Sequence, residues 1–198
     1  MTIDQLAIIS DHTAFRAALA TLVVFCFGIY QRLNDPDPKA MVLMTRFDDR
    51  IPFVPAFSVP YLLYLPYLLF VAVYGIVASP YYPQIAASML AVQLIAAVIY
   101  SAKQSYVPRP NLVIDGVFSR LTAFIYRHDR PYCAFPSLHV AYSLLCAYWS
   151  TLLFPSLAPL FIVLTASIIA STLFIKQHAL ADVAAGASLT ALCLLLIH

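Results

Sequence analysis

Apolar residues fall in long runs separated by short polar breaks, and most runs approach the ~20 residues that a helix needs to cross a bilayer. The first run, residues 14–30, ends at Gln31-Arg32-Leu33-Asn34-Asp35-Pro36, where proline cannot continue a helix. A polar stretch with Lys39, Arg46, Asp48, Asp49 and Arg50 leads to the second run, 57–78, in which Pro60 and Pro66 are expected to introduce kinks that a lipid-embedded helix tolerates. The turn Ser79-Pro80-Tyr81-Tyr82-Pro83 brings tyrosines to an interface before the third run, 85–102. Runs four, five and six cover 137–154, 160–174 and 179–197. One long polar connection, 103–136, remains. Within it Val113, Val117, Leu121, Phe124 and Ile125 recur at helical spacing, with Asp115, Arg120 and Arg127 elsewhere on the wheel, which predicts a surface helix over 112–127. The pattern predicts an all-α polytopic membrane protein, one domain over 1–198, with six transmembrane helices and an interfacial amphipathic helix.

Composition agrees with that architecture. Of 198 residues 63% are apolar and 10% charged, against about 25% charged in an ordinary soluble domain. The net charge of +2 gives no reason to expect a nucleic-acid partner. With six crossings, ten of the 11 Lys/Arg residues share one face and Arg16 lies toward the other, so the positive-inside tendency makes the crowded face cytoplasmic. Cys26, Cys146 and Cys193 lie in apolar runs and read as buried thiols, while Cys133 stands in a polar loop with no zinc-ligand spacing. Residues 1–13 lack a basic leader and a cleavage site, so the first run is expected to be retained.

Three polar clusters fall on that same crowded face. They are Lys103-Gln104-Ser105-Tyr106-Val107-Pro108-Arg109-Pro110, the stretch Arg130 to His139, and the stretch Ser171 to Asp182. Lysine and arginine near a membrane face, without clustered carboxylates for a metal, suit a phosphate dianion. His178 and Asp182 are four apart, so on a helix the carboxylate would fix the imidazole tautomer. His139 lies at the head of another helix, where free amides and the Ser137 hydroxyl favour an anion. Two histidines in different environments allow one to attack and the other to move protons. Singly, each cation reads as interfacial snorkelling and each histidine as a satisfied side chain; the conjunction favours a site. Asp182 supports this, because an unpaired acid inside a span costs roughly 2.5 to 3.5 kcal/mol on insertion scales. His12, His128 and His198 receive no role, and the charges at 39–50, Arg120 and Arg127 are expected to face lipid headgroups.

On these motifs the sequence resembles the type 2 phosphatidic acid phosphatase superfamily, whose motifs read Lys-x6-Arg-Pro, Pro-Ser-Gly-His and Ser-Arg-x5-His-x3-Asp. Pro136-Ser137-Leu138-His139 and Ser171-x6-His178-x3-Asp182 match the second and third. The Phe135-Pro136-Ser137-Leu138-His139 form and Ile51-Pro52-Phe53 look more like the branch that includes inositol phosphorylceramide synthases. The resemblance, over 103–182, implies that His178 is a nucleophile forming phosphohistidine, that Asp182 orients it and that His139 protonates the leaving alcohol. It implies that Lys103, Arg109, Ser137 and the Leu138 amide hold phosphate oxygens. The departures are a five-residue gap between Lys103 and Arg109, Leu138 for glycine and Thr172 for the third motif's arginine, which Arg130 or Lys176 would replace. The implied activity is hydrolysis of a lipid phosphomonoester or diphosphate, without cofactor or metal, in a bacterial inner membrane among lipids. Transfer to an alcohol acceptor is the first alternative and non-catalytic lipid transport the second, with oligomeric state left open.

Overall fold

The computed structural model describes residues 3–197; within the first helix it describes the side chains of 13–19, 21, 22, 25, 26 and 28 onward. The amino-terminal stretch judged to carry no cleaved leader, with His12, and the terminal His198 lie outside those side chains. Eight α-helices follow in order among the described residues: α1 Ile3–Leu33, α2 Arg46–Asp49, α3 Ser58–Ala78, α4 Tyr82–Ala102, α5 Val117–His128, α6 Leu138–Leu153, α7 Ala158–Phe174 and α8 Leu180–Ile197. Two short 3₁₀ turns, Pro55–Phe57 and Pro155–Leu157, lead into α3 and α7. Four segments, Pro55–Ala78, Tyr82–Ala102, Pro155–Phe174 and Leu180–Ile197, are long and apolar enough to cross a membrane, and Leu138–Leu153 is a shorter apolar helix.

The differences from the sequence pattern have local causes. α1 begins at residue 3 rather than 14, since its polar first turns hold no proline or glycine to stop a helix. Pro60 falls in the first turn of α3, where no intrahelical N–H is needed, and only Pro66 is interior. The surface helix starts at Val117 rather than 112, because the Ser119 hydroxyl accepts the amides of Asp115 (3.1 Å) and Gly116 (2.9 Å) and so fixes its first turn there.

α6 is the centre of the bundle and packs against α3, α4, α7 and α8. Ala141, Leu145, Cys146 and Trp149 from α6 meet Leu68, Val71 and Ile76 of α3, Met89 and Val92 of α4, Ile168 of α7 and Leu189 and Cys193 of α8 in one buried core. Several polar side chains inside it are paired between helices, as an apolar medium favours. Trp149 donates to the Ser88 hydroxyl (3.1 Å), Tyr142 to the Gln93 side-chain oxygen (2.9 Å) and Thr190 to the Ala141 carbonyl (3.0 Å). Outward-facing Leu63, Val73, Val77, Val98, Val163 and Leu195 leave an apolar surface suited to lipid. All four cysteines are free and buried, Cys133 included.

α8 comes close to the start of α6 at Gly186. A Cβ on Gly186 would stand 2.5 Å from the Ser137 carbonyl oxygen and 3.1 Å from Val140 Cβ, and the first of these is rigid backbone. Gly28, by contrast, has nothing within 4 Å of a Cβ. Gly186→Ala is therefore expected to lower stability by about 1–3 kcal/mol through overpacking, while Gly28→Ala causes no loss. Thermal unfolding in detergent measures both; equal melting temperatures for Gly186→Ala and wild type would contradict this account of the contact.

Candidate active site

The second cluster is shaped by the entry to α6. Ser137 is the N-cap, its hydroxyl accepting the Val140 amide at 3.3 Å. The Tyr100 hydroxyl holds the preceding Pro136 carbonyl at 2.6 Å, and the Ser137 amide donates to the Asp182 carbonyl at 3.1 Å. His139 is thereby fixed in the first turn of α6, its ring between Tyr61 and Tyr64 of α3 at centroid distances of 4.6 and 4.4 Å.

The third cluster is a turn between α7 and α8. Lys176 lies in the left-handed region, φ 55°, a conformation that costs a lysine more than a glycine. The amides of Gln177 and His178 both return to the Thr172 carbonyl, at 2.9 and 3.0 Å. His178 thus precedes α8, and its relation to Asp182 comes from this turn rather than from a shared helix face. Asp182 Oδ2 accepts the Ala179 amide at 2.7 Å, as an acid in a first turn does, and lies 3.6 Å from His178 Nδ1. The nearer partner of Nδ1 is the Ala134 carbonyl at 3.1 Å, a backbone group that no side-chain motif reveals.

His178 Nε2 faces His139 Nδ1 at 3.4 Å, with ring centroids 5.5 Å apart. A carbonyl and a carboxylate beside Nδ1 favour the tautomer with Nδ1 protonated, which leaves Nε2 with its lone pair. The pair closes one end of a cavity of about 460 Å³ between α1, α3, α5 and α6. Tyr64, Leu65, Leu68, Phe124 and Leu138 are among its mostly apolar walls, and Asp129, His128 and the two imidazoles among its polar groups.

The structure brings His139, His178, Asp182, Ser137 and Leu138 together and disperses the cations. Lys103 is exposed just beyond α4. Arg130 is exposed and paired with Asp35. The Lys176 ammonium donates to the carbonyls of Asp48 (2.9 Å) and Ile51 (2.5 Å). Thr172, in the arginine position, is buried and bonds the Ile169 carbonyl of its own helix at 2.8 Å. Of the four cations, Arg109 is the one bonded to the side chain of a residue adjoining a site histidine, Gln177 beside His178. It donates to the Gln177 side-chain oxygen, to the Asp129 carbonyl and, at 2.9 Å, to the Tyr126 carbonyl, with its guanidinium 4.2 Å over the Tyr126 ring. Its Nε is buried without a partner among the described residues. Burial lowers its pKa against the opposing pull of Asp129, and an arginine stays charged under such a shift.

Two acids with roles were absent from the sequence reading. Asp129, beside both Arg109 and His139, ends α5, where the helix dipole disfavours an acid; that mismatch was its only signal. Asp48, expected to face headgroups, is instead buried: Oδ1 accepts the Leu180 amide at 2.7 Å, the first of α8, and Oδ2 accepts the amide and hydroxyl of Thr45, both at 2.8 Å. Burial alone would raise its pKa, but the bonds from Leu180 and Thr45 outweigh it and the net shift is downward. A depressed folded pKa contributes stability that is present above the unfolded value of about 3.9 and is lost as pH falls through the folded one. Asp48→Asn is expected to cost about 1–3 kcal/mol near neutrality, with the gap to wild type closing below about pH 4. Detergent melts between pH 3 and 7 measure this; a gap that stays constant down to pH 3 would contradict the role given to the carboxylate.

A family model described as the PAP2 superfamily matches residues 81–198, more than half of the chain and all three motif segments. No curated protein and no solved structure matches the chain. With a match of that extent running over both imidazoles and the helices that carry them, the chain belongs to the PAP2 superfamily.

Proposed function

We propose that the protein is a membrane-embedded lipid phosphatase that hydrolyses a phosphomonoester or diphosphate through a phosphohistidine on His178. The observation that carries this reading is the 3.4 Å approach of His178 Nε2 to His139 Nδ1, both lining a largely apolar cavity. A nucleophile and a proton donor from separate segments stand side by side, and the cavity gives an acyl or prenyl chain a place between helices. PAP2 membership supports phosphatase-like chemistry on phosphoesters. The reaction needs no metal in this scheme. Charge on the phosphoryl group is met by Arg109 and by the Leu138 and His139 amides in the first turn of α6. Lys103, Arg130 and Lys176 take no part, since other contacts or exposure keep them from the cavity.

In the bilayer, α1 and α6 complete a count of six crossings with the four long apolar segments, and α5 lies in the interface over the cavity. The positive face then places the site toward the cytoplasm of a bacterial inner membrane. Transfer to an alcohol would use the same intermediate, and the Phe-Pro-Ser-Leu-His form of the second motif favours it as the second reading. Product analysis with and without polyol acceptors separates the two.

Phosphate release from a panel of lipid phosphates in mixed micelles is expected to fall at least about 1,000-fold in His178→Ala and to be inhibited by vanadate, which mimics the transferring group. Full activity in His178→Ala would end the phosphohistidine reading. In the same assay Arg109→Ala is expected to lose about 100-fold, whereas Arg130→Ala stays within about twofold and Lys176→Ala loses melting temperature more than turnover. A large activity loss in Arg130→Ala with an unchanged melt would return that residue to the phosphate.

A further inference from the structure

Asp129 is a carboxylate at the wall of a cavity proposed to take a phosphate, a position that charge alone makes unfavourable. Four neutral donors from three segments hold it there. Oδ1 accepts the Tyr30 hydroxyl of α1 at 2.9 Å and the Asn34 amide at 3.1 Å, and Oδ2 accepts the Tyr61 hydroxyl of α3 at 2.6 Å and the Gln177 amide at 3.2 Å. Arg109 bonds the Asp129 carbonyl and not its carboxylate. Its oxygens are therefore satisfied by neutral groups; the Arg109 guanidinium is near enough to attract the carboxylate without bonding it, and an imidazole also faces it, Oδ2 lying 3.9 Å from His139 Nε2. That is ion-pair range rather than a formed hydrogen bond, and such contacts tighten when a substrate binds.

We propose that Asp129 is the positioning residue of His139, holding its Nε2–H so that Nδ1, the nitrogen facing His178, exchanges the proton with the leaving oxygen. The proposal rests on the reading of His178 as nucleophile and His139 as acid. It describes a line of four groups with a carboxylate at each end, in which the two working nitrogens face each other. In the first step the His178 Nε2 lone pair forms the N–P bond, the P–O bond breaks, and the alcohol oxygen keeps that pair and takes the His139 Nδ1 proton. In the second, water attacks phosphorus, gives a proton to His139 Nδ1, and the N–P pair returns to His178. Asp129 makes and breaks no covalent bond; it orients the ring and stabilises the imidazolium. The groups around His139 are Tyr61 and Tyr64 from α3, His178 at Nδ1 and Asp129 at Nε2. Tyr30 and Arg109 stand behind Asp129, Tyr142 and Cys133 lie along the cavity wall, and Tyr100 holds the Pro136 carbonyl. Of these, only Asp129 brings a negative charge to the ring.

Two substrates separate this role from a purely structural one. An alkyl lipid phosphate needs its leaving oxygen protonated, whereas a nitrophenyl phosphomonoester releases a phenolate that does not. Wild-type turnover of both, lost in His178→Ala, tests the underlying reading first; an inactive wild type or an active His178→Ala would end that reading, whatever Asp129 does. Given that activity, Asp129→Asn is expected to slow lipid hydrolysis about 10- to 100-fold and to leave the nitrophenolate burst within about threefold. It is also expected to move the alkaline limb of lipid hydrolysis acidward by roughly one pH unit, since without the anion His139 loses its proton more readily. Tyr61→Phe keeps the ring but removes a donor from Oδ2, and is expected to move the same limb toward higher pH, a readout that needs no Asp129 variant to fold. Equal slowing of both substrates with an unmoved limb in Asp129→Asn, or an unmoved or acid-shifted limb in Tyr61→Phe, would overturn the proposal.

Discussion

The distance between the two imidazoles depends on how closely α8 approaches the first turn of α6. His139 is carried by that turn, and His178 and Asp182 by the residues that open α8. The two openings are held together by the Ser137 amide on the Asp182 carbonyl and by Gly186 lying against the Ser137 carbonyl. A side chain at position 186 would push on the backbone of the N-cap itself. An error of about an ångström in the placement of reacting groups costs on the order of 100-fold in rate, so a packing requirement deep in the bundle becomes a chemical one. The glycine's value lies in missing volume and owes nothing to backbone freedom, for it has no left-handed φ.

Charge imposes the second constraint. In the proposed reaction a phosphoryl group comes among three fixed charges, Asp129, Asp182 and Arg109. Two acids and one guanidinium leave a net negative surplus, which an arriving phosphate would worsen. In the proposed reaction His139 carries the proton that it delivers, and the ring is flanked by the carboxylate that would stabilise its cation. Position 172 adds no cation, for its threonine is turned into its own helix.

Hydropathy made the helices legible because each run had to cover lipid-facing surface as well as core. Motif spacing made His139, His178 and Asp182 legible because those residues sit in two short stretches. The relations that escaped join segments far apart in the chain. Asp129 is held by residues 30, 34, 61 and 177, and Asp48 reaches Leu180; no period or spacing encodes either. Arg130 and Lys176 were natural substitutes for a missing cation on sequence position alone. Each has a nearer use, with Asp35 or with carbonyls at the end of α2, and a flexible side chain goes to the nearest acceptor that its backbone allows. The unusual φ of Lys176, which decides where its side chain starts, has no sequence signal in a lysine.

That strained lysine links the interfacial loop to the chemistry. Residues 45–51 grip the turn before α8 from two directions: the Asp48 carboxylate takes the first amide of α8, and the Asp48 and Ile51 carbonyls take the ammonium of Lys176. The Val54 amide adds a third hold on the Phe174 carbonyl, and Phe57 stacks on Phe174 at a centroid distance of 4.3 Å. A left-handed lysine persists only where its surroundings over-determine it, and here they do so with groups from a loop more than 120 residues away in sequence. The turn that presents His178 is thus completed by the segment joining α1 to α3, the same two helices that line the cavity and supply Tyr30 and Tyr61 to Asp129. The PAP2 match begins only at residue 81, yet the amino-terminal segment supports both histidines of the proposed pair. A bundle reduced to the matched region would keep both imidazoles and lose the contacts that aim them.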